Sequence, residues 1–206
     1  MKKKTIALLL VLMMVFGVSV GGTIAYLMDD ASVTNTFTIG NVTITLDESL
    51  VTPYGELAKY EGNDKKIVAL TKEEMAAEGF EQETVDDGNT YKLIPGHEYT
   101  KDPTIHVGET SEDCWLFVKV ENGLGANATF TWSDGWSQVD ATNYPEYWQY
   151  KDVVSKDADV PTFTKFAVSS TAEVDKLGDM EIVVTAYAVQ EDNLTQDAAF
   201  AEIPKN

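Results

Sequence analysis

The chain has 206 residues, enough for one well-packed domain and short for two. It carries 34 Asp and Glu against 15 cations, none of them Arg, for a net charge of −19. That balance argues against nucleic acid as a partner, because phosphate contacts need Lys and Arg patches.

Lys2, Lys3 and Lys4 precede an apolar run from Thr5 to Val20, which Gly21 and Gly22 interrupt. Thr23-Ile24-Ala25 then puts small residues at the usual cleavage positions. This is the pattern of a secretory signal peptide over residues 1–25, cut between Ala25 and Tyr26, with the membrane engaged only until the cut. An uncleaved anchor is the competing reading, since Thr5 to Met28 matches the ~20 residues of a membrane helix. Cleavage removes three lysines and no acid, so the net charge falls from −19 to −22. Repulsion at that charge keeps copies apart at low salt. Assembly must then come from backbone pairing and apolar burial, helped by salt or acid.

Residues 26–35 are weakly patterned, after which Phe37 and Ile39 alternate with polar residues, as do Val42, Ile44 and Leu46. The apolar positions switch from odd to even across Gly40-Asn41, which requires a bulge or bend there. Residues 52–66 are polar and read as a loop, and Ile67–Leu70 as a short strand. Thr71 and Glu74 form a capping box for a helix over 72–78, with Gly79 as its C-terminal cap. Residues 52–90 together read as an insertion at the edge of a β-domain.

Beyond it come Tyr91–Ile94, Thr104–Val107 and the strongest strand, 114–121, with Cys114, Leu116, Val118 and Val120 on one face. Phe130 and Trp132 alternate with threonine. Residues 133–161 are aromatic without a period. Phe163, Phe166 and Val168 lead to a last long strand over 180–189, apolar on both faces as a central strand is. Thr195 caps a short helix over 196–202. Roughly eight strands, two short helices and no strand–helix alternation predict an all-β, antiparallel β-sandwich, jelly-roll-like, with inserted helices.

Few constellations carry chemistry. His97-Glu98 lacks a second histidine at helical spacing, and His106 lies on an expected strand. His97, Glu98 and His106 are therefore weak zinc candidates, set against a solvated Pro95-Gly96 turn. Cys114, the only cysteine, permits no intrachain disulfide and reads as a buried apolar residue. No serine motif or phosphate loop is present, and no cofactor is expected. The run from Trp132 to Tyr150 has two readings, an exposed sugar-stacking surface or a buried end of the sandwich.

Gly21-Gly-Thr-Ile-Ala-Tyr-Leu-Met-Asp29 followed by Asn35-Thr-Phe-Thr-Ile-Gly-Asn-Val-Thr-Ile-Thr-Leu46 resembles the TasA/camelysin family of Gram-positive secreted proteins. Leu93-Ile-Pro-Gly96, Thr100-Lys-Asp-Pro-Thr-Ile105, Trp115-Leu-Phe-Val-Lys-Val120 and Ala186-Tyr-Ala-Val-Gln190 look like it too, so the likeness runs nearly the whole chain. The resemblance implies processing by a SipW-type signal peptidase, secretion to the extracellular matrix or cell surface, and a jelly-roll domain that polymerises into biofilm fibres. It further implies that residues 26–40 form a donor strand added to a neighbouring subunit, ahead of a sandwich domain over 41–206. The assembly residues would be Tyr26, Leu27, Val33, Phe37 and Ile39, with Gly40 as the hinge. The expected partners are further copies of the chain, the peptidase, and other matrix proteins or polysaccharide. A camelysin-like metallopeptidase and a monomeric glycan-binding adhesin are the alternatives. The same alternation serves a strand docked on its own domain and one docked on a neighbour, so the sequence leaves that choice open.

Overall fold

The computed structural model describes residues 29–31, 33–173, 177 and 180–205. It begins with β1 (Asp29–Ala31), β2 (Val33–Ile39) and β3 (Ile44–Ser49). The region read as an insertion holds a hairpin, β4 (Ala58–Glu61) and β5 (Lys66–Ala69), then α1 (Lys72–Met75), β6 (Thr84–Val85) and β7 (Asn89–Tyr91). Then follow β8 (Glu98–Thr100), β9 (Thr104–Val107), β10 (Cys114–Asn122), β11 (Ala128–Trp132), β12 (Trp136–Asp140) and β13 (Tyr144–Tyr150). The chain closes with β14 (Asp159–Pro161), β15 (Phe163–Val168), β16 (Ile182–Gln190) and α2 (Gln196–Glu202).

These strands make the expected antiparallel β-sandwich with short inserted helices. One layer is a five-stranded sheet in the order β12-β13-β10-β16-β2. Facing it are β14-β9-β3-β6 and β11-β15-β8. Alternation along the two long central strands builds both faces at once. Leu116 and Val118 of β10 and Val184, Ala186 and Ala188 of β16 turn inward. There they meet Ile44, Leu46, Ile105, Val107, Phe163 and Phe166 from the opposite layer. Phe117, Tyr187 and Val189 turn outward and are covered by Ala199, Phe200 and Ile203 of the C-terminal segment. β10 and β16 are thus buried on both sides, which is why β16 reads as an unbroken apolar run.

Among the described residues pairing is antiparallel with one exception: β2 lies along the outer edge of β16 in parallel. The helix expected over 72–78 ends at Met75, with Ala76 as its C-terminal cap. Its capping box is present, Thr71 accepting from the Glu74 amide and Glu74 reaching back to the Thr71 amide. Lys59 bonds the same carboxylate and, with Thr71, lowers its pKa to about 2. Thr195 caps α2 by accepting from the Ala198 amide at 3.3 Å.

The core also encloses charge. Lys101 Nζ sits 2.7 Å from Glu48 Oε2, both side chains fully buried. Asn89 and Ser49 extend the pair into a polar network: Asn89 Nδ2 donates to Glu48 and to the Ser49 carbonyl, and the Ser49 amide and hydroxyl both donate to Asp102.

Candidate functional site

The segment singled out in the sequence, residues 26–40, enters the described structure at Asp29. Ala25, Tyr26 and Leu27, and with them the expected cleavage site, lie outside the described residues. From Asp29 the segment touches two rails. β1 pairs antiparallel with β7, Ala31 opposite Asn89 and Asp29 opposite Tyr91. β2 then runs parallel to β16, Val33 opposite Val184, Phe37 opposite Tyr187 and Ile39 opposite Val189, with an irregularity between Val184 and Ala186.

Hydrogen bonds to β16 hold this strand more than burial does. Phe37 and Ile39 share the outer face with Tyr187 and Val189, yet Phe37 is 50% exposed and Ile39 36%. Phe37 stacks on Tyr187 with ring centroids 5.8 Å apart and an interplanar angle of 23°. By contrast, Phe117 on the same face of the central strand is fully enclosed. The strand ends in the bend that the switch of apolar parity required. Gly40 has φ +91°, a conformation that side chains disfavour, and a Cβ there would collide with the Gln190 side chain. The Asn41 amide donates to Gln190 Oε1 at 2.8 Å, which latches the turn to the end of β16. Gln190 was not among the expected assembly residues. Its place at the end of the Ala186–Gln190 block was the available signal.

The zinc candidates are dispersed into separate polar contacts. The His97 ring bonds the Tyr54 carbonyl at 3.0 Å and packs edge-on against Tyr99. Glu98 pairs with Lys165 at 2.7 Å. His106 lies between two carboxylates, Nδ1 at 2.6 Å from Asp159 and Nε2 at 3.0 Å from Asp47. Partial burial works against its charged form, but the two carboxylates outweigh that and raise its pKa above the ordinary value. Because β3, β9 and β14 are neighbours, the charged imidazole acts as a cross-strand clamp. Among the described residues no group of three or more His, Cys, Asp or Glu is placed to hold a metal ion.

Cys114 is fully buried, and desolvation pushes its thiol up to about 11, so it is inert as a nucleophile. The aromatic run is turned on itself: Trp132 and Trp148 stack with centroids 3.7 Å apart, and Trp136 donates to the Pro161 carbonyl. No family model, no curated protein and no solved structure matches the chain.

Proposed function

We propose that this protein is a secreted, self-assembling fibre subunit of a biofilm matrix, and that residues 26–40 are its exchangeable strand. The observation that carries the proposal is the edge pairing of β2 with β16, with both apolar anchors half-exposed and a glycine hinge behind them. An edge strand held mainly by main-chain hydrogen bonds can leave its own domain. It can then remake the same bonds on the identical β16 edge of a second copy, at little net change in bonding. The neighbour's own departed strand vacates that edge, so exchange propagates head to tail. The resemblance of Gly21–Leu46 to the TasA/camelysin family supports the same reading.

Electron microscopy of protein beginning at Tyr26, beside protein beginning at Asn41, tests this. The first forms filaments, sooner in acid or salt because the net charge of −22 is then reduced or screened. The second remains monomeric. Filaments from both, or from neither under any solvent condition, would overturn the proposal.

A further inference from the structure

Beneath β7 the fold gathers an amine, a carboxamide and a carboxylate, on three separate stretches of chain. Lys101 follows β8, Asn89 opens β7 and Glu48 belongs to β3. Lys101 and Glu48 have no exposed side-chain surface, and Asn89 is 5% exposed. The two oxygens of Glu48 divide the other groups between them. Oε2 lies 2.7 Å from Lys101 Nζ, and Oε1 accepts from Asn89 Nδ2 at 2.8 Å. On its other side the Asn89 carboxamide is held by the backbone, Oδ1 accepting from the Val51 amide at 2.9 Å and Nδ2 donating to the Ser49 carbonyl at 2.9 Å. Tyr91, edge-on against Phe166, donates its hydroxyl to the Thr100 carbonyl at 2.9 Å, and its phenol is close enough to feel the charge of Glu48.

The ion pair alone would leave lone pairs of Glu48 unmet, and Asn89 fills them with its backbone N–H at 2.9 Å and its carboxamide Nδ2. That brings to the same carboxylate a carboxamide whose own carbonyl oxygen is polarised by the Val51 amide. Nucleophile and polarised electrophile are each bonded to one oxygen of the same proton shuttle, and bulk water is excluded.

We propose that Lys101 and Asn89 become joined by an intramolecular isopeptide bond, with Glu48 carrying the protons. Glu48 Oε2 takes one proton from the Lys101 ammonium, and the freed lone pair attacks Asn89 Cγ. Negative charge gathers on Oδ1, where the Val51 N–H stabilises it. Glu48 then delivers its proton to Nδ2 through Oε1 and removes a second proton from Nζ. The Cγ–Nδ2 bond breaks, ammonia leaves, and the Cγ–Nζ amide remains beside a protonated Glu48. Atoms and charge balance without an oxidant or an outside reagent. The driving force is electrostatic as well as chemical: two fully buried charges are replaced by a neutral amide and a neutral acid. The bond would fix β7, the rail on which β1 docks, to the segment behind β8. It does not depend on filament assembly.

Mass spectrometry of the purified, denatured chain tests the bond directly. Its mass, counted from the observed N-terminus, is expected to fall short of the sequence mass by one ammonia. Lys92 lies between the two joined residues, so trypsin should release a branched peptide linking Asn89 to an uncleaved Lys101. Full mass with linear peptides would overturn the proposal, as would an ammonia deficit without the branch, which marks a cyclised asparagine. Glu48→Gln, Lys101→Arg and Asn89→Ala, each checked for a folded circular dichroism spectrum, should regain full mass. A folded Glu48→Gln that still carries the branch would overturn the role given to Glu48.

Discussion

Phe37 rests on Tyr187, yet half of its surface faces water, whereas Phe117 on the same face is sealed beneath Phe200. The two phenylalanines should therefore respond very differently to truncation. Phe37→Ala is expected to cost the monomer about 1 kcal/mol, from partial burial alone. Phe117→Ala removes a fully enclosed ring and should cost about 3 kcal/mol or more. Urea denaturation of both variants measures the difference. Equal losses would mean that β2 is as much a part of the core as β10.

Gly40 and Gly79 share a positive φ but not an environment. Gly79, with φ +76°, has open space where a Cβ would go, and Gly40 has Gln190 there. Gly79→Ala should therefore show backbone strain only, about 1 kcal/mol. Gly40→Ala adds displacement of the Gln190 latch and should lose about 1 kcal/mol more, with faster amide exchange throughout β2. Hydrogen exchange resolved by residue reads both effects.

The His106 clamp makes stability depend on pH in a defined direction. Its pKa is raised on folding, so its contribution is complete below the ordinary value of 6.5 and fades as pH rises through the folded value. Over that window the wild type should lose stability relative to His106→Gln. The effect will fall well short of the full linkage value, because 36% of the ring faces solvent and water screens the pair. Urea midpoints of both proteins on either side of that window give the sign. A wild type that gains on His106→Gln as pH rises would contradict the geometry.

Cys114 offers a probe of the central sheet. Buried in β10 and paired across to Gln190, its thiol should react with an aromatic disulfide reagent only as fast as the sheet opens. Full reactivity in denaturant and protection without it is the expected result. Rapid labelling of the folded protein would show that β10 and β16 separate readily.

The long elements were legible because their residues alternate in a way that only one structure uses. β10 and β16 could be read from period-two runs, and α2 from Thr195 and the apolar residues behind it. β12 and β13 could not, for a physical reason. Tyr147 is buried against Phe200 on one face while Trp148 stacks on Trp132 on the other, so aromatic residues follow one another and no period survives. β4, β6, β7 and β8 span two to four residues, too few to show a pattern. The Gly40 bend was readable from the change of parity. The parallel direction of β2 was not, because alternation is the same whichever way a neighbour runs. The Lys101–Glu48–Asn89 cluster left no local trace, its members being distant in sequence and joined only by the fold.

One consequence follows from the position of β16. It lies in the five-stranded sheet between β10 and the edge strand β2, and among the described residues it is the last strand in chain order. While the ribosome is still making residues 182–190, β10 lacks its longest neighbour and β2 has no place to dock. The nascent chain therefore cannot close its core early, and its long strands wait unpaired until that segment has been made.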